Sequence, residues 1–311
     1  MSEVIYLFGD SAPLPSVVSI GSFDGVHRGH KAILDRIRSV SKSNNLRSLV
    51  ATFDPHPREF LGYGKLQNLT TISERKAILK EYEVDAFAVI PFNTALSLLE
   101  PDVFVRTVLV EKMGAKAIVT GHDHRFGRDR KGDSALLREL GEQLGFSVLQ
   151  CDPETIDGEV VSSSLIRELV ETGRVKKAHR FMGRRHSFTG KVVRGAGRGK
   201  SIGISTANLQ TVSEDKLSPG VGVYAVLVEI PDEATMKLGM MNIGYQPTFD
   251  GTELHLEVNI LDWSGDLYDR EVRVEFVERI RNEKKFDSIE GLIEQLNKDR
   301  VRCRRLLGEI S

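Results

Sequence analysis

The chain has little of what builds crosslinked or metal-stapled scaffolds. Its 311 residues include two cysteines, Cys151 and Cys303, neither with a CxxC partner. Neither a disulfide framework nor a structural zinc site is expected, and both thiols read as packing residues. Net charge is also nearly absent: 43 Lys and Arg stand against 44 Asp and Glu, a formal −1. That excludes a global positive field drawing the chain to nucleic acid or anionic lipid. The 14 phenylalanines are spread along the sequence, unlike the aromatic-rich basic strands of RNA binders. No apolar run approaches the ~20 residues that cross a bilayer. The opening MSEVIYLFGDSAPLP lacks the basic start and apolar core of a secretory signal. A cytoplasmic protein with neither nucleic-acid nor membrane partners is expected.

What is present is the composition of an ordinary soluble protein, 40% hydrophobic and 28% charged. At about 150 residues per domain, two domains are expected. In the first half, β-branched runs alternate with helical periodicity. Val17–Ile20, Leu49–Phe53, Phe87–Ile90 and Ala117–Thr120 read as strands; Ile33, Leu34 and Ile37 form a helical stripe. Thr71-Ile-Ser-Glu74 matches a capping box. Pro101-Asp102 opens a helix with Val103, Thr107 and Val110 on one side. This rhythm predicts a parallel, Rossmann-like sheet covered on both faces, with ligands beyond the carboxyl ends of its strands. Those ends carry GSFDGVHRGH, DPHP and GHDHRFG.

The second half changes period. After two short helices near Ser164–Glu171 and Val175–Phe181, strands are expected at Ser187–Val193, Gly222–Ile230, Leu238–Ile243, Glu253–Ile260 and Glu271–Val277. Such spacing predicts an antiparallel barrel of about six strands. A last helix from Ile289 carries Leu292, Ile293, Leu296 and Val301 as the stripe that packs on the barrel. The boundary is expected near Gly183, giving domains 1–183 and 184–311.

Between a strand and a helix lies Gly21-Ser-Phe23-Asp24-Gly25-Val-His27-Arg-Gly-His30. Glycines there let backbone approach a ligand, and the helix start offers N–H groups to an anion. Two imidazoles three apart can serve one phosphate by hydrogen bonding, so catalysis would come from positioning and electrostatics. With TFDPHP at 52–57, Gly121-His-Asp-His-Arg125-Phe-Gly and Val161-Ser162-Ser163-Ser164-Leu-Ile-Arg167, this segment resembles the HxGH nucleotidyltransferases, and within them the bacterial bifunctional riboflavin kinases and FAD synthetases. The resemblance implies that His27 and His30 engage ATP phosphates, with Gly21, Phe23, Asp24 and Gly25 around the nucleotide. It also implies that Ser162, Ser163, Ser164 and Arg167 supply hydroxyl and guanidinium donors on the pyrophosphate side. His56, His122 and His124 lack the spacing of a zinc set. Asp123, between two of them, is open between ribose, adenine and no ligand.

The densest basic stretch, Arg184–Lys200, contains Gly195-Ala-Gly197-Arg-Gly199-Lys200-Ser. A Walker P-loop would need glycine where Arg194 stands, and GxGxxG would need glycine where Lys200 stands. What remains is a glycine-rich basic loop, either a solvated surface or a polyanion site. It runs into Gly203-Ile-Ser205-Thr206-Ala-Asn208, which is similar to the riboflavin kinase motif GxPTAN. In that family the threonine hydroxyl and asparagine amide meet Mg²⁺ and ATP phosphate, which assigns Thr206 and Asn208 as metal and nucleotide residues, with Gly197, Gly199 and Lys200 alongside. Ser205 stands in place of the family's proline, removing a φ constraint on the threonine. In Asn242-Ile-Gly-Tyr-Gln246-Pro-Thr-Phe, Gln246 stands in place of an arginine.

The strand Glu253–Ile260 alternates without error, placing His255, Glu257 and Asn259 on one face. Periodicity leaves open whether that face lines a cavity or meets solvent. By resemblance, Glu257 matches the catalytic base that takes the proton of the ribityl 5′-hydroxyl. The resemblance covers roughly residues 15–305 and implies two steps: riboflavin plus MgATP to FMN on the barrel, then AMP transfer from ATP to FMN, giving FAD, on the α/β domain. The competing readings are a monofunctional FAD synthetase with a flavin-binding barrel, and a nonenzymatic flavin- or RNA-binding regulator.

Overall fold

The computed structural model describes residues 5–8, 13–194, 206–248 and 251–308. Contacts divide the chain into two compact units, Met1–Ser163 and Ser164–Ser311.

The first unit runs β1 (Ile5–Phe8), β2 (Ser16–Ile20), α1 (Arg28–Asn44), β3 (Arg47–Asp54), α2 (Pro57–Phe60), α3 (Ile72–Glu81), β4 (Ala86–Pro91), α4 (Thr94–Ser97) and α5 (Pro101–Phe104). A π-helical continuation Val105–Lys112 leads to β5 (Ala115–Thr120), α6 (Ser134–Leu144), β6 (Ser147–Gln150) and the hairpin β7 (Thr155–Ile156) with β8 (Glu159–Val160). The six-stranded sheet has the order β1-β4-β3-β2-β5-β6. Its neighbours pair in parallel except at the antiparallel edge strand β1. After the edge strand β1, the parallel part begins in the middle at β2, winds outward through β3 and β4, then crosses back to β5. The strand order reverses between β2 and β5, and that switch point is where open α/β sheets hold ligands.

All five residues of β2 are buried, as a strand covered on both faces requires. On one face Val18, Ala51 and Ile90 meet Phe104, Val108 and Leu137; on the other Val17, Val50 and Phe87 meet Leu34, Ile37 and Leu79. Each fully buried side chain of this kind contributes about 1.5–3 kcal/mol. The capping box of α3 is formed: Thr71 N donates to Glu74 Oε2 at 2.8 Å, and Glu74 N donates to Thr71 Oγ1 at 3.2 Å. The stripe expected after Pro101 divides, Val110 packing on the core and Val103 facing away from it. Val103 is 39% exposed while Phe104, Val105, Val108 and Leu109 are buried. The segment from Val105 is wound as a π-helix, which turns side chains off the 3.6-residue register. The Thr107 hydroxyl donates to Val103 O at 2.8 Å on that outer side.

The second unit contains α7 (Ser163–Glu171), α8 (Val175–Met182), β9 (Ser187–Val193), β10 (Ala207–Thr211), β11 (Gly222–Glu229), β12 (Lys237–Thr248), β13 (Gly251–Ile260), β14 (Glu271–Arg281) and α9 (Ile289–Gly308). The strands close into a barrel in the order β10-β13-β12-β11-β14-β9, antiparallel throughout. Closure removes the unpaired edges an open sheet would expose. Inside, Phe276 meets Tyr224 edge-on at 5.3 Å and Phe188 at 5.7 Å. Helix α9 covers part of the outer surface, setting Cys303 and Leu307 against Val223, Ala225, Met240 and Ile280. Arg281 Nε donates to Asp299 Oδ2 at 2.8 Å, and Gln295 Nε2 donates to Asp299 Oδ1 at 2.9 Å. Val301 is 67% exposed and lies off the expected stripe. The contact face steps instead through Leu296, Asp299, Cys303 and Leu307, three to four residues apart.

Candidate active sites

In the first unit the turn Gly21–Val26 leaves β2 and enters α1 at the switch point. Phe23 and Val26 hold φ of 46° and 39°, left-handed values that cost a non-glycine residue of order 1–3 kcal/mol and persist only when neighbours enforce them. Gly25, at φ 80°, is also pressed by Leu69, whose Cδ1 would lie 2.9 Å from an added Cβ. The Asp24 carboxylate accepts Leu69 N at 3.0 Å and Thr70 N at 2.9 Å, and Gly25 N donates to Thr70 Oγ1 at 2.8 Å. Thr52 Oγ1 donates to Ser22 O at 3.0 Å, and Ser163 Oγ to Asp24 O at 2.8 Å.

His27 caps α1. Its Nδ1 accepts His30 N at 3.3 Å while His30 Nδ1 accepts His27 N at 3.2 Å, a capping box made of two histidines. The rings stack, centroids 3.7 Å apart and planes within 16°. Gly29 is needed between them, because a Cβ there would sit 3.2 Å from the His27 ring and 3.4 Å from Val161 O. With both Nδ1 atoms accepting, the ring protons are assigned to Nε2 on both residues, the tautomer that donates to an anion.

The structure distributes the expected residues of this site unevenly. Gly21 N donates to Ala51 O at 3.1 Å at the end of β2. Phe23 and Asp24 are only 2% and 1% exposed, so their side chains serve the turn: the Phe23 ring lies 4.8 Å from the His30 ring. Ser162 and Ser163 are half-buried; Ser164, exposed, and Arg167, half-buried, lie on α7. The loop after β5 closes through reciprocal bonds between Phe126 and Gly132. It exposes Arg125, Arg128, Arg130 and Lys131. His124 stacks on Phe126 at 5.8 Å, and burial pushes its pKa down to about 4. His56 is used as the cap of α2, its Nδ1 accepting Arg58 N at 3.1 Å.

In the second unit the alternation of β13 resolves plainly. Leu256, Val258 and Ile260 point into the barrel core, and Glu257 lies on the outer face. There it stands in register with Asn208 of β10 on one side and Asn242 of β12 on the other. Directly opposed residues of antiparallel strands share a face, so a half-buried carboxylate is flanked by two amides. Neither β10 nor the part played by Asn242 was visible in periodicity. Of the nucleotide residues expected here, Gly197, Gly199 and Lys200 lie outside the described residues, as does Ser205, and Gln246 is described only in its backbone.

Thr206, half-buried, lines a cleft of about 250 Å³ together with Val192, Val258, Ile260, Trp263 and Tyr268. Sequence reasoning missed the Trp263–Tyr268 loop; its signal is an aromatic at each end of a glycine-containing turn. Arg194, where the basic stretch enters, sits over the Tyr268 ring at 5.3 Å. Among the described residues no cluster of three or more His, Cys, Asp or Glu side chains could hold a metal. The donors available are hydroxyl and amide oxygens. These suit Mg²⁺, which keeps most of its waters and takes its remaining ligands from substrate phosphates.

The first unit is thus a parallel α/β sheet with paired imidazoles at its switch point, and the second a closed antiparallel barrel with Glu257 between two amides. Comparison with known proteins gives the same division. Residues 10–165 match the FAD synthetase family and residues 182–307 the riboflavin kinase family. The chain belongs to the family of bifunctional riboflavin kinase/FMN adenylyltransferases. It is 36% identical to the Pseudomonas fluorescens enzyme of that name, over 93% of this chain and 92% of the relative. It is 34% identical to the one from Listeria monocytogenes, over 94% and 93%. A crystal structure named as a macrolide-efflux protein from Streptococcus pneumoniae, 32% identical, matches with a TM-score of 0.87 over 96% of each chain. Among the described residues no helix is long and apolar enough to cross a membrane.

Proposed function

We infer that this chain makes flavin cofactors in two steps, phosphorylating riboflavin with ATP to FMN and then transferring AMP from a second ATP to FMN to give FAD. We assign adenylylation to residues 1–183 and phosphorylation to residues 184–311. The observation that carries the reading is the pairing, in one chain, of a reciprocal histidine cap at a sheet switch point with a carboxylate between two amides on a barrel wall.

In adenylylation an FMN phosphate oxygen attacks the α-phosphorus of ATP and the bond to the bridging oxygen breaks, releasing pyrophosphate. Nε2–H donors of His27 and His30 stabilise the charge shifting onto the phosphate oxygens; Ser162–Ser164 and Arg167 take the pyrophosphate side. Gly21, Phe23, Asp24 and Gly25 shape the nucleotide site, the buried pair through backbone atoms. In the kinase step the riboflavin 5′-hydroxyl attacks the γ-phosphorus, Glu257 accepts the proton, and ADP leaves. Thr206 and Asn208 would hold Mg²⁺, which when bound neutralises phosphate charge. The cleft beside Thr206, lined by apolar and aromatic side chains, suits the adenine of ATP. The basic loop with Gly197, Gly199 and Lys200 is assigned to the phosphates on its sequence alone. Both reactions consume ATP, which supports a cytoplasmic site of action on small molecules.

The test is chromatography of products after incubating the purified chain with riboflavin, ATP and Mg²⁺. FMN and FAD together are expected. FAD from supplied FMN without FMN from riboflavin would remove the kinase step, and neither product would overturn the reading.

A further inference from the structure

We propose that Arg75, acting through Asp24 and Thr70, is a positioning residue for adenylyl transfer; this rests on the function inferred above. The Arg75 and Asp24 side chains are 4% and 1% exposed, with Arg75 Nη2 3.4 Å from Asp24 Oδ1. The guanidinium spends all three nitrogens on the turn and its backing. Nε donates to Thr70 Oγ1 at 3.2 Å, and Nη1 to Ser22 O at 3.1 Å. Nη2 donates to Asn68 Oδ1 at 3.2 Å and Thr70 O at 2.9 Å. The Thr70 hydroxyl is fully used: it donates to Asp24 Oδ1 at 3.2 Å and accepts from Gly25 N and Arg75 Nε.

Through these bonds one cation fixes Ser22, Asp24 and Gly25, the residues just ahead of the His27 cap. Phe23, between them, is the residue that packs on the His30 ring. An ion pair this deep is a poor device for stability alone, since apolar residues of similar volume do as well or better. What the pair adds is direction: three polar anchors hold two non-glycine residues at positive φ and so aim both imidazoles. Lysine could supply the charge but not the planar fork that reaches Ser22, Thr70 and Asp24 together.

The experiment measures kcat and KM for FMN adenylylation and for riboflavin phosphorylation in the full chain. In Arg75→Gln, adenylylation kcat is expected to fall about 100-fold, the loss associated with a ~1 Å misplacement of catalytic groups. KM for ATP and FMN should stay within about threefold, and kinase parameters should not change. Arg75→Lys is expected to recover about tenfold of the loss. If Arg75→Gln does not fold, Arg75→Lys carries the test, and should show a fall in kcat of about tenfold at unchanged KM. Wild-type kcat in the folded variant, a loss confined to KM, or a loss matching the unfolded fraction in a thermal melt would overturn the proposal. Wild-type protein making no FAD from FMN and ATP would instead overturn the functional reading, and this proposal with it.

Discussion

Replacing Glu257 by glutamine (Glu257→Gln) tests the carboxylate we assign as proton acceptor. The side chain is half-buried on the outer barrel face, in register with Asn208 and Asn242, and glutamine keeps its length and shape among those amides. Stability should therefore change by no more than about 0.5 kcal/mol. A positioned general base contributes about 10²- to 10⁴-fold, or about 2.7–5.4 kcal/mol at 1.36 kcal/mol per tenfold. Riboflavin phosphorylation should slow by that factor, with KM for ATP nearly unchanged because the amides and Thr206 remain. Adenylylation of supplied FMN should proceed at the wild-type rate, since His27 and His30 belong to the other unit. The assay follows FMN from riboflavin and FAD from FMN in parallel on one preparation. An unchanged phosphorylation rate would remove Glu257 from the chemistry, and an equal loss of both activities would show the substitution acting through folding.

Three further outcomes follow from side chains outside the reacting groups. Burial holds the His124 pKa at about 4, below the ordinary histidine value of about 6.5, so the unfolded chain takes the proton first. The stability His124 contributes is full above pH 6.5 and is lost as pH falls toward 4. Urea denaturation of His124→Gln should show a flatter pH dependence in that window than wild type; identical slopes would refute it. The Cys303 thiol is fully buried and pushed up to about 12. At pH 8, iodoacetamide should therefore label Cys151 in the native protein and Cys303 only after unfolding, and equal labelling by mass spectrometry would contradict this. Asp299→Ala leaves Arg281 Nε and Gln295 Nε2 without their acceptor and should cost about 1–3 kcal/mol, read as a lower denaturant midpoint for barrel fluorescence.

Features governed by neighbours in sequence were legible before the structure. The Thr71–Glu74 box, the strand–turn–helix around His27 and the alternation of Glu253–Ile260 all depend on residues a few positions apart. What was not legible depends on pairing at a distance. Strand β1 joins the sheet only through β4. Strand β10 is short, and its importance lies in being opposite Glu257. The π-helical segment defeated a 3.6-residue reading, and Val301 fell off the stripe because the contact face of α9 includes the polar Asp299. Asp24 stood inside a ligand-like motif, yet its carboxylate points inward, because Leu69, Thr70 and Arg75, 45 to 51 residues on, bond it.

The two helices that begin with reciprocal caps differ in what they leave for a visitor. Helix α3 closes its start with a glutamate, and so carries a negative charge in its first turn. Helix α1 has no acid there, since imidazoles do the same bonding. The positive end of its macrodipole is not cancelled from within. An incoming polyphosphate therefore meets a helix whose attraction is intact, where the commoner Thr–Glu arrangement would have met it with repulsion.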